Sequence, residues 1–171
     1  EIKNVVRNYK LPRESIFARP KFFHAVRDIS FILRKGENLG LVGESGCGKS
    51  TLTRAILGLE ELQGGKIILE GDIVKAGKKL NSKIRRKMQV VFQDPFSSFN
   101  PRHKIGRLIS EPFYLMEDRP TGAKLKNEIN DALTNVGLKV EDADKYIHEF
   151  SGGQRQRVAI ARALIIKPSL I

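Results

Sequence analysis

The segment that most constrains this chain is Gly43-Glu44-Ser45-Gly46-Cys47-Gly48-Lys49-Ser50-Thr51. Two stretches of different period flank it. Before it, Leu39, Gly40, Leu41 and Val42 form a short apolar run, the pattern of a buried strand. After it, Leu52, Ala55, Ile56 and Leu59 fall at i, i+3, i+4 and i+7, one face of a helix. A strand that turns through glycines into a helix gathers backbone N–H groups at one point, with the positive end of the helix behind them. The spacing is G-x-x-x-x-G-K-[ST], and each residue type has a task. Glycines let the backbone curl towards phosphate oxygens. Lys49 reaches the β- and γ-phosphates as a point charge, and Ser50 sets its hydroxyl on Mg2+. Nucleotide binding on an α/β fold is therefore expected. Cys47 lies in the same loop, beside Lys49 and a helix start, and reads as a small residue that fits there or as a reactive thiol.

The rest of the chain alternates in kind. Residues 1–35 read as strands, with Ile29, Phe31 and Leu33 at an imperfect period of two, and residues 11–23 as a loop holding Pro12 and Pro20. Strands are expected over 66–70 and 89–92, helices over 126–136 and 158–166. Gly137 suits a helix C-cap, Pro168 a stop, and residues 169–171 the start of a strand. There is no internal repeat. The expected organisation is a nucleotide-binding core over 1–95, a helical subdomain over 96–150, and a helix over 151–171 returning to the core.

Charge is the compositional outlier: 31 Lys and Arg against 19 Asp and Glu give +12, with a pI near 10. Such a balance suits polyanionic partners or a well-solvated surface. The densest run, 75–87, carries Lys75, Lys78, Lys79, Lys83, Arg85, Arg86 and Lys87 without an interleaved aromatic, so a single-strand nucleic-acid groove is poorly supported. With one cysteine, no internal disulfide and no multi-thiolate zinc site can form. His24, His103 and His148 have no metal-ligand spacing. No apolar run approaches the length of a membrane span.

A second constellation follows about a hundred residues on: Phe150-Ser151-Gly152-Gly153-Gln154-Arg155-Gln156-Arg157. A Ser-Gly-Gly turn that opens a helix presents free N–H groups and a hydroxyl to an anion. Taken together, the two motifs resemble those of the nucleotide-binding subunits of ABC transporters. The glycine loop is similar to the family's Walker A, Ser151 to Gln154 to its signature motif, and Gln93 in Val91-Phe92-Gln93-Asp94-Pro95 to its Q-loop. Gln93-Asp94-Pro95-Phe96-Ser97-Ser98-Phe99-Asn100-Pro101-Arg102 and Ile109-Ser110-Glu111-Pro112 resemble the oligopeptide, dipeptide and nickel importer ATPases in particular. Ile147 departs from that group, which often has proline there.

The resemblance implies a P-loop NTPase (RecA-like) α/β core with an N-terminal antiparallel β subdomain and an inserted α-helical subdomain, incomplete at the C-terminus. It implies ATP and Mg2+ as cofactors and a head-to-tail dimer of ATPase subunits. ATP would lie between Gly43, Ser45, Gly46, Cys47, Gly48, Lys49, Ser50 and Thr51 of one subunit and Ser151, Gly152, Gly153 and Gln154 of the other. Gln93 would approach Mg2+ and the attacking water, and Tyr9 would stack on adenine, with Phe17 the next choice. Transmembrane permease subunits, and indirectly a substrate-binding protein, are the implied partners, on the cytoplasmic face of the cell membrane. Phe96, Phe99 and Phe113 fit that permease interface or else the core of the lobe.

Pro168-Ser169-Leu170-Ile171 resembles the run-up to the family's Walker B strand, and the Asp-Glu pair that would follow is not among the 171 residues. Taken literally, the chain is expected to bind nucleotide weakly and to hydrolyse it poorly or not at all. The leading reading is the ATPase subunit of an importer of peptides or related small solutes. A nucleic-acid-associated ABC ATPase and a non-catalytic nucleotide-binding module stand as alternatives, and salt-dependent DNA or RNA binding separates the first of these.

Overall fold

The start of the chain builds an antiparallel sheet on which Ile2 and Val5 are buried. In a computed structural model, residues 1–13, 16, 19–76 and 81–171 are described, Phe96 by its backbone alone. Phe17, Lys78 and Lys79 lie outside the described residues. Contacts divide the chain into two compact units, Glu1–Ile84 and Arg85–Ile171.

In the first unit, β1 (Ile2–Lys10) lies between β2 (Phe22–Phe31) and β3 (Gly64–Leu69), and the short β4 (Asp72–Ile73) flanks β3. All pairings are antiparallel, with Ile2 opposite Phe31 and Ile67, and Tyr9 opposite Phe23. β1 bulges at Asn4, whose φ is 47°, and Asp28 across the ladder has φ 50°. The two side chains bond each other, Asn4 Nδ2 donating to Asp28 Oδ1 at 2.8 Å. Asn and Asp tolerate the left-handed region better than other residues with a Cβ, which explains these types at the bulge. Val5, Ala25, Val26 and Ile67 are buried on the sheet. The helix α1 (Lys49–Ile56) packs on β2 and buries Leu52 and Ala55, two of the residues on the expected apolar face.

α2 (Ser82–Lys87) occupies the end of the basic run and leaves Lys83 and Arg85 exposed, a solvated face. The second unit is built from α3 (Ile105–Ser110), α4 (Gly122–Asn135) and α5 (Gly152–Leu164), joined by short 3-10 turns. Leu108, Ile109, Leu133, Ile147 and Val158 are fully buried among them. Burial of each such side chain is worth roughly 1.5–3 kcal/mol, so this cluster fixes the lobe. α4 ends as expected at Gly137, which has φ 70°, while Leu138 N–H returns to Leu133 O at 3.0 Å.

Three expected strands do not form. Residues 39–42 and 89–92 carry no strand ladder among the described residues. A strand of a parallel sheet is held by a neighbour at its edges and by cover on both faces. Leu39 and Leu41 are exposed instead, and Val42 is 95% exposed. The second run keeps a single parallel bridge at its start, Met88 to Leu170, with Gln89 N–H donating to Leu170 O at 3.0 Å. Residues 169–171 likewise show only this isolated bridge in place of the expected strand.

Candidate functional site

The glycine loop reaches α1 through Gly48, whose φ is 96°. A Cβ at this position would stand 2.0 Å from the backbone oxygen of Ala25 on β2. Only glycine lets the loop lie that close to the sheet. The first intrahelical bond, Leu52 N–H to Gly48 O at 2.9 Å, fixes where the helix begins. No side chain caps α1, and its first turn has no acidic residue. The leading N–H groups and the positive end of the helix dipole therefore face the loop without a carboxylate in that turn to neutralise them.

Lys49 completes the loop. Its Nζ donates to Gly43 O at 2.6 Å and to Glu44 O at 2.7 Å, and lies 3.6 Å from Cys47 Sγ. The ammonium is thus centred inside the curl of backbone from 43 to 48. Cys47 is exposed, Ser50 is exposed, and Thr51 is half-buried one residue further into α1. An uncapped helix start, a centred ammonium and an adjacent exposed hydroxyl are a donor set for a polyphosphate with its divalent cation.

α5 opens differently. Ser151 Oγ accepts from Gln154 N–H at 3.4 Å, and Gln154 Oε1 accepts from Ser151 N–H at 2.9 Å. This reciprocal cap uses one acceptor site of Ser151 and leaves its O–H free to donate. Gly152 and Gly153, both exposed, form the first helical turn beside it. Arg155 and Arg157 hold carbonyls of the same unit: Arg155 reaches Ile147 O at 3.2 Å, and Arg157 reaches Gly137 O at 3.1 Å.

With both motifs in view, the chain can be set beside known proteins. A family profile described as ABC transporter matches residues 26–171. The chain belongs to the ABC transporter family. It is 44% identical over 174 residues to the oligopeptide transport ATP-binding protein OppF of Haemophilus influenzae, covering all of this chain and 52% of that protein. It is 38% identical over 167 residues to the dipeptide transport ATP-binding protein DppF of the same organism, covering 97% and 51%. The chain spans about half the length of the curated relatives it matches. Among solved structures it is similar to the ATP-binding cassette MJ0796 in a dimeric post-hydrolysis state bound to ADP and Pi, with a TM-score of 0.78 and 27% identity, over 98% of this chain and 69% of that one. The mixed α/β architecture is that of the ABC ATPase cassettes.

Within this ABC chain, the expected site residues fall into two sets. Gly43, Ser45, Gly46, Cys47, Gly48, Lys49, Ser50, Thr51 and Tyr9 belong to the first unit. Gln93 and Ser151, Gly152, Gly153 and Gln154 belong to the second. Gln93 is exposed in a bend. Tyr9 lies inside β1, half-buried, with the Arg7 guanidinium 4.4 Å from its ring centroid. Phe99 and Phe113 are core residues, each 6% exposed, so of the two readings offered for them the lobe core holds and the interface does not. The side chain of Phe96 is outside the described set. No helix among the described residues is long and apolar enough to cross a membrane.

Sequence reasoning missed Arg162 of α5. It donates to Ser98 O at 3.0 Å and Ser98 Oγ at 2.9 Å, and lies 4.5 Å over the Phe99 ring. It thereby ties the segment after Gln93 to the helix that begins at Ser151. The contact joins residues 64 positions apart, so no local period could announce it.

Proposed function

We propose that the protein carrying this chain is the ATP-hydrolysing subunit of an ABC importer of peptides or related small solutes. The observation that carries the reading is the loop at 43–51, with an uncapped helix start and the Lys49 ammonium centred in it. Lys49 holds the β- and γ-phosphates by charge, Thr51 the α-phosphate, and Ser50 offers its hydroxyl to Mg2+. In this reading Ser50 and Gln93 would hold Mg2+, which would offset the charge of the phosphates. Gln93 also orients the attacking water.

Two copies, or this chain and a second ATPase, pair head to tail, so that Ser151, Gly152, Gly153 and Gln154 of one meet the ATP held by the other. The dimeric state of the similar MJ0796 cassette supports that pairing. The names of the relatives, oligopeptide and dipeptide transport ATP-binding proteins, support peptides as cargo. Transmembrane permeases as partners and a peripheral place on the cytoplasmic face complete the proposal. Residues 1–95 act as the core, 96–150 as the helical lobe, and 151–171 as the return to the core.

The test is ATP-dependent peptide uptake by the assembled transporter in vesicles, with Lys49→Ala as the comparison. Uptake that requires ATP and is lost with Lys49→Ala is expected. Full uptake by the Lys49→Ala transporter, or salt-sensitive binding of DNA with no uptake, would overturn the reading.

A further inference from the structure

Beside Tyr9 the first unit has an open cleft of about 540 Å3, whose walls include Asn8, Phe22, His24 and Gln63. Arg7 is two residues before Tyr9 on β1, and its guanidinium carbon is 4.4 Å from the Tyr9 ring centroid. That places a planar cation against one face of the ring. A flat ligand therefore has only the opposite face of Tyr9 to stack on.

Arg7 is itself held. Its Nε and terminal nitrogen donate to Glu60 Oε2 at 3.1 and 2.7 Å. The two side chains are 16% and 11% exposed, so solvent screens the pair less than a surface ion pair. The other oxygen of Glu60 lies 3.4 Å from Arg54 Nε, in the last turn of α1. One carboxylate thus joins the strand that carries Tyr9 to the helix that begins at Lys49.

We propose that Arg7 and Glu60 are positioning residues for the base of a purine nucleotide: together they fix the Tyr9 ring as a platform in register with the phosphate loop. This rests on the reading of Tyr9 and of residues 43–51 given above. Arg7 lines the cleft beside Tyr9 and Glu60 does not. The pair acts by holding one ring in one orientation, not by bonding the base, so a base that arrives finds the platform set. Stacking is tolerant of base identity, because every base has a π-face. The pair should therefore serve ATP and GTP alike and leave a ligand without a base untouched.

The experiment titrates MgATP and magnesium tripolyphosphate against the wild type, Arg7→Gln, Glu60→Gln, Tyr9→Ala and the Arg7→Gln/Tyr9→Ala double variant, with a thermal melt of each. Tyr9→Ala should weaken ATP about tenfold. Arg7→Gln and Glu60→Gln should each weaken ATP about three- to tenfold while tripolyphosphate binds as in the wild type. In the Tyr9→Ala background, Arg7→Gln should add nothing, as expected when both act through one interaction. Arg7→Lys, which keeps the charge but loses the fork, should recover part of the loss.

Equal weakening of both ligands, an Arg7→Gln loss that persists without Tyr9, or unchanged ATP affinity would each overturn the proposal. If Tyr9→Ala binds ATP as the wild type does while Lys49→Ala does not, the platform fails and the phosphate loop stands. If the wild type binds neither ligand, the nucleotide-binding reading itself fails and takes the proposal with it.

Discussion

Gly48 and Gly46 offer a controlled comparison inside one loop. Both have positive φ, 96° and 82°. A Cβ on Gly46 would meet nothing within 4 Å, whereas one on Gly48 would stand 2.0 Å from Ala25 O and 3.1 Å from Ala25 C. For Gly46→Ala, the left-handed backbone costs an L-residue roughly 1–2 kcal/mol. The stiffer unfolded chain returns about 0.4–1 kcal/mol, leaving a net loss of about 0–1.5 kcal/mol. Gly48→Ala carries the same terms and must also open more than an ångström of space against backbone. Ala25 and Val26 are buried in the β1–β2 ladder, and Leu52 and Ala55 anchor α1, so neither side yields freely. Overpacking of this kind adds about 1–3 kcal/mol, for a total of about 1–4.5 kcal/mol. In a chain of this size that lowers the midpoint by on the order of 10 °C, against a few degrees for Gly46→Ala. The displaced loop should also bind MgATP at least tenfold more weakly. Thermal melts read the first effect and ATP titration the second. Equal losses in the two variants would refute the close approach of Gly48 to β2.

Three further outcomes are expected. Burial pulls the Asp142 carboxyl upward, but hydrogen bonds from the Lys145 ammonium and the Lys139 amide outweigh it and hold it below the ordinary carboxylate value. Its stabilisation is then complete above an unfolded pKa of about 3.9 and is lost as pH falls through the lower folded value. Asp142→Asn should remove that part of the acid slope in a pH series of melts and cost about 1–3 kcal/mol at neutral pH. Leu133→Ala, at a fully buried position in the second unit, should cost about 2–5 kcal/mol by urea titration. Alkylation of the exposed Cys47 should block ATP binding, and MgATP should protect it; mass spectrometry that shows equal labelling with and without nucleotide would remove the idea.

The turn of the glycine loop into α1 was legible because its constraint is local. Glycine spacing, the lysine and the change of period all sit within some twenty residues. The end of α4 at Gly137 was legible for the same reason, since an apolar stripe repeats along one segment, whereas its start at Gly122 lies four residues before the expected 126. Residues 39–42 and 89–92 carry strand-like sequence, yet a strand has no internal hydrogen bonds, and its formation depends on partners distant in the chain. Leu170, with its single bridge to Met88, shows how little local sequence can say about such pairing. Phe99 and Phe113 were ambiguous because an aromatic in a polar stretch suits a core or an interface equally. Only the packing of α3, α4 and α5 decides for the core. Arg7, Glu60 and Arg162 could not be found by period at all: their partners lie 53 and 64 residues away.

The exposed run at 39–42 has a consequence for solution behaviour. It offers apolar side chains and backbone donors and acceptors outside any ladder to a neighbouring copy. A net charge of +12 keeps copies apart when little salt is present. At 1 M salt the Debye length shrinks to about 3 Å, so that repulsion vanishes while apolar contact persists. Self-association of this chain should therefore rise with ionic strength, opposite to the trend for complexes held by charge. Dilute, low-salt buffer is the condition in which single copies prevail.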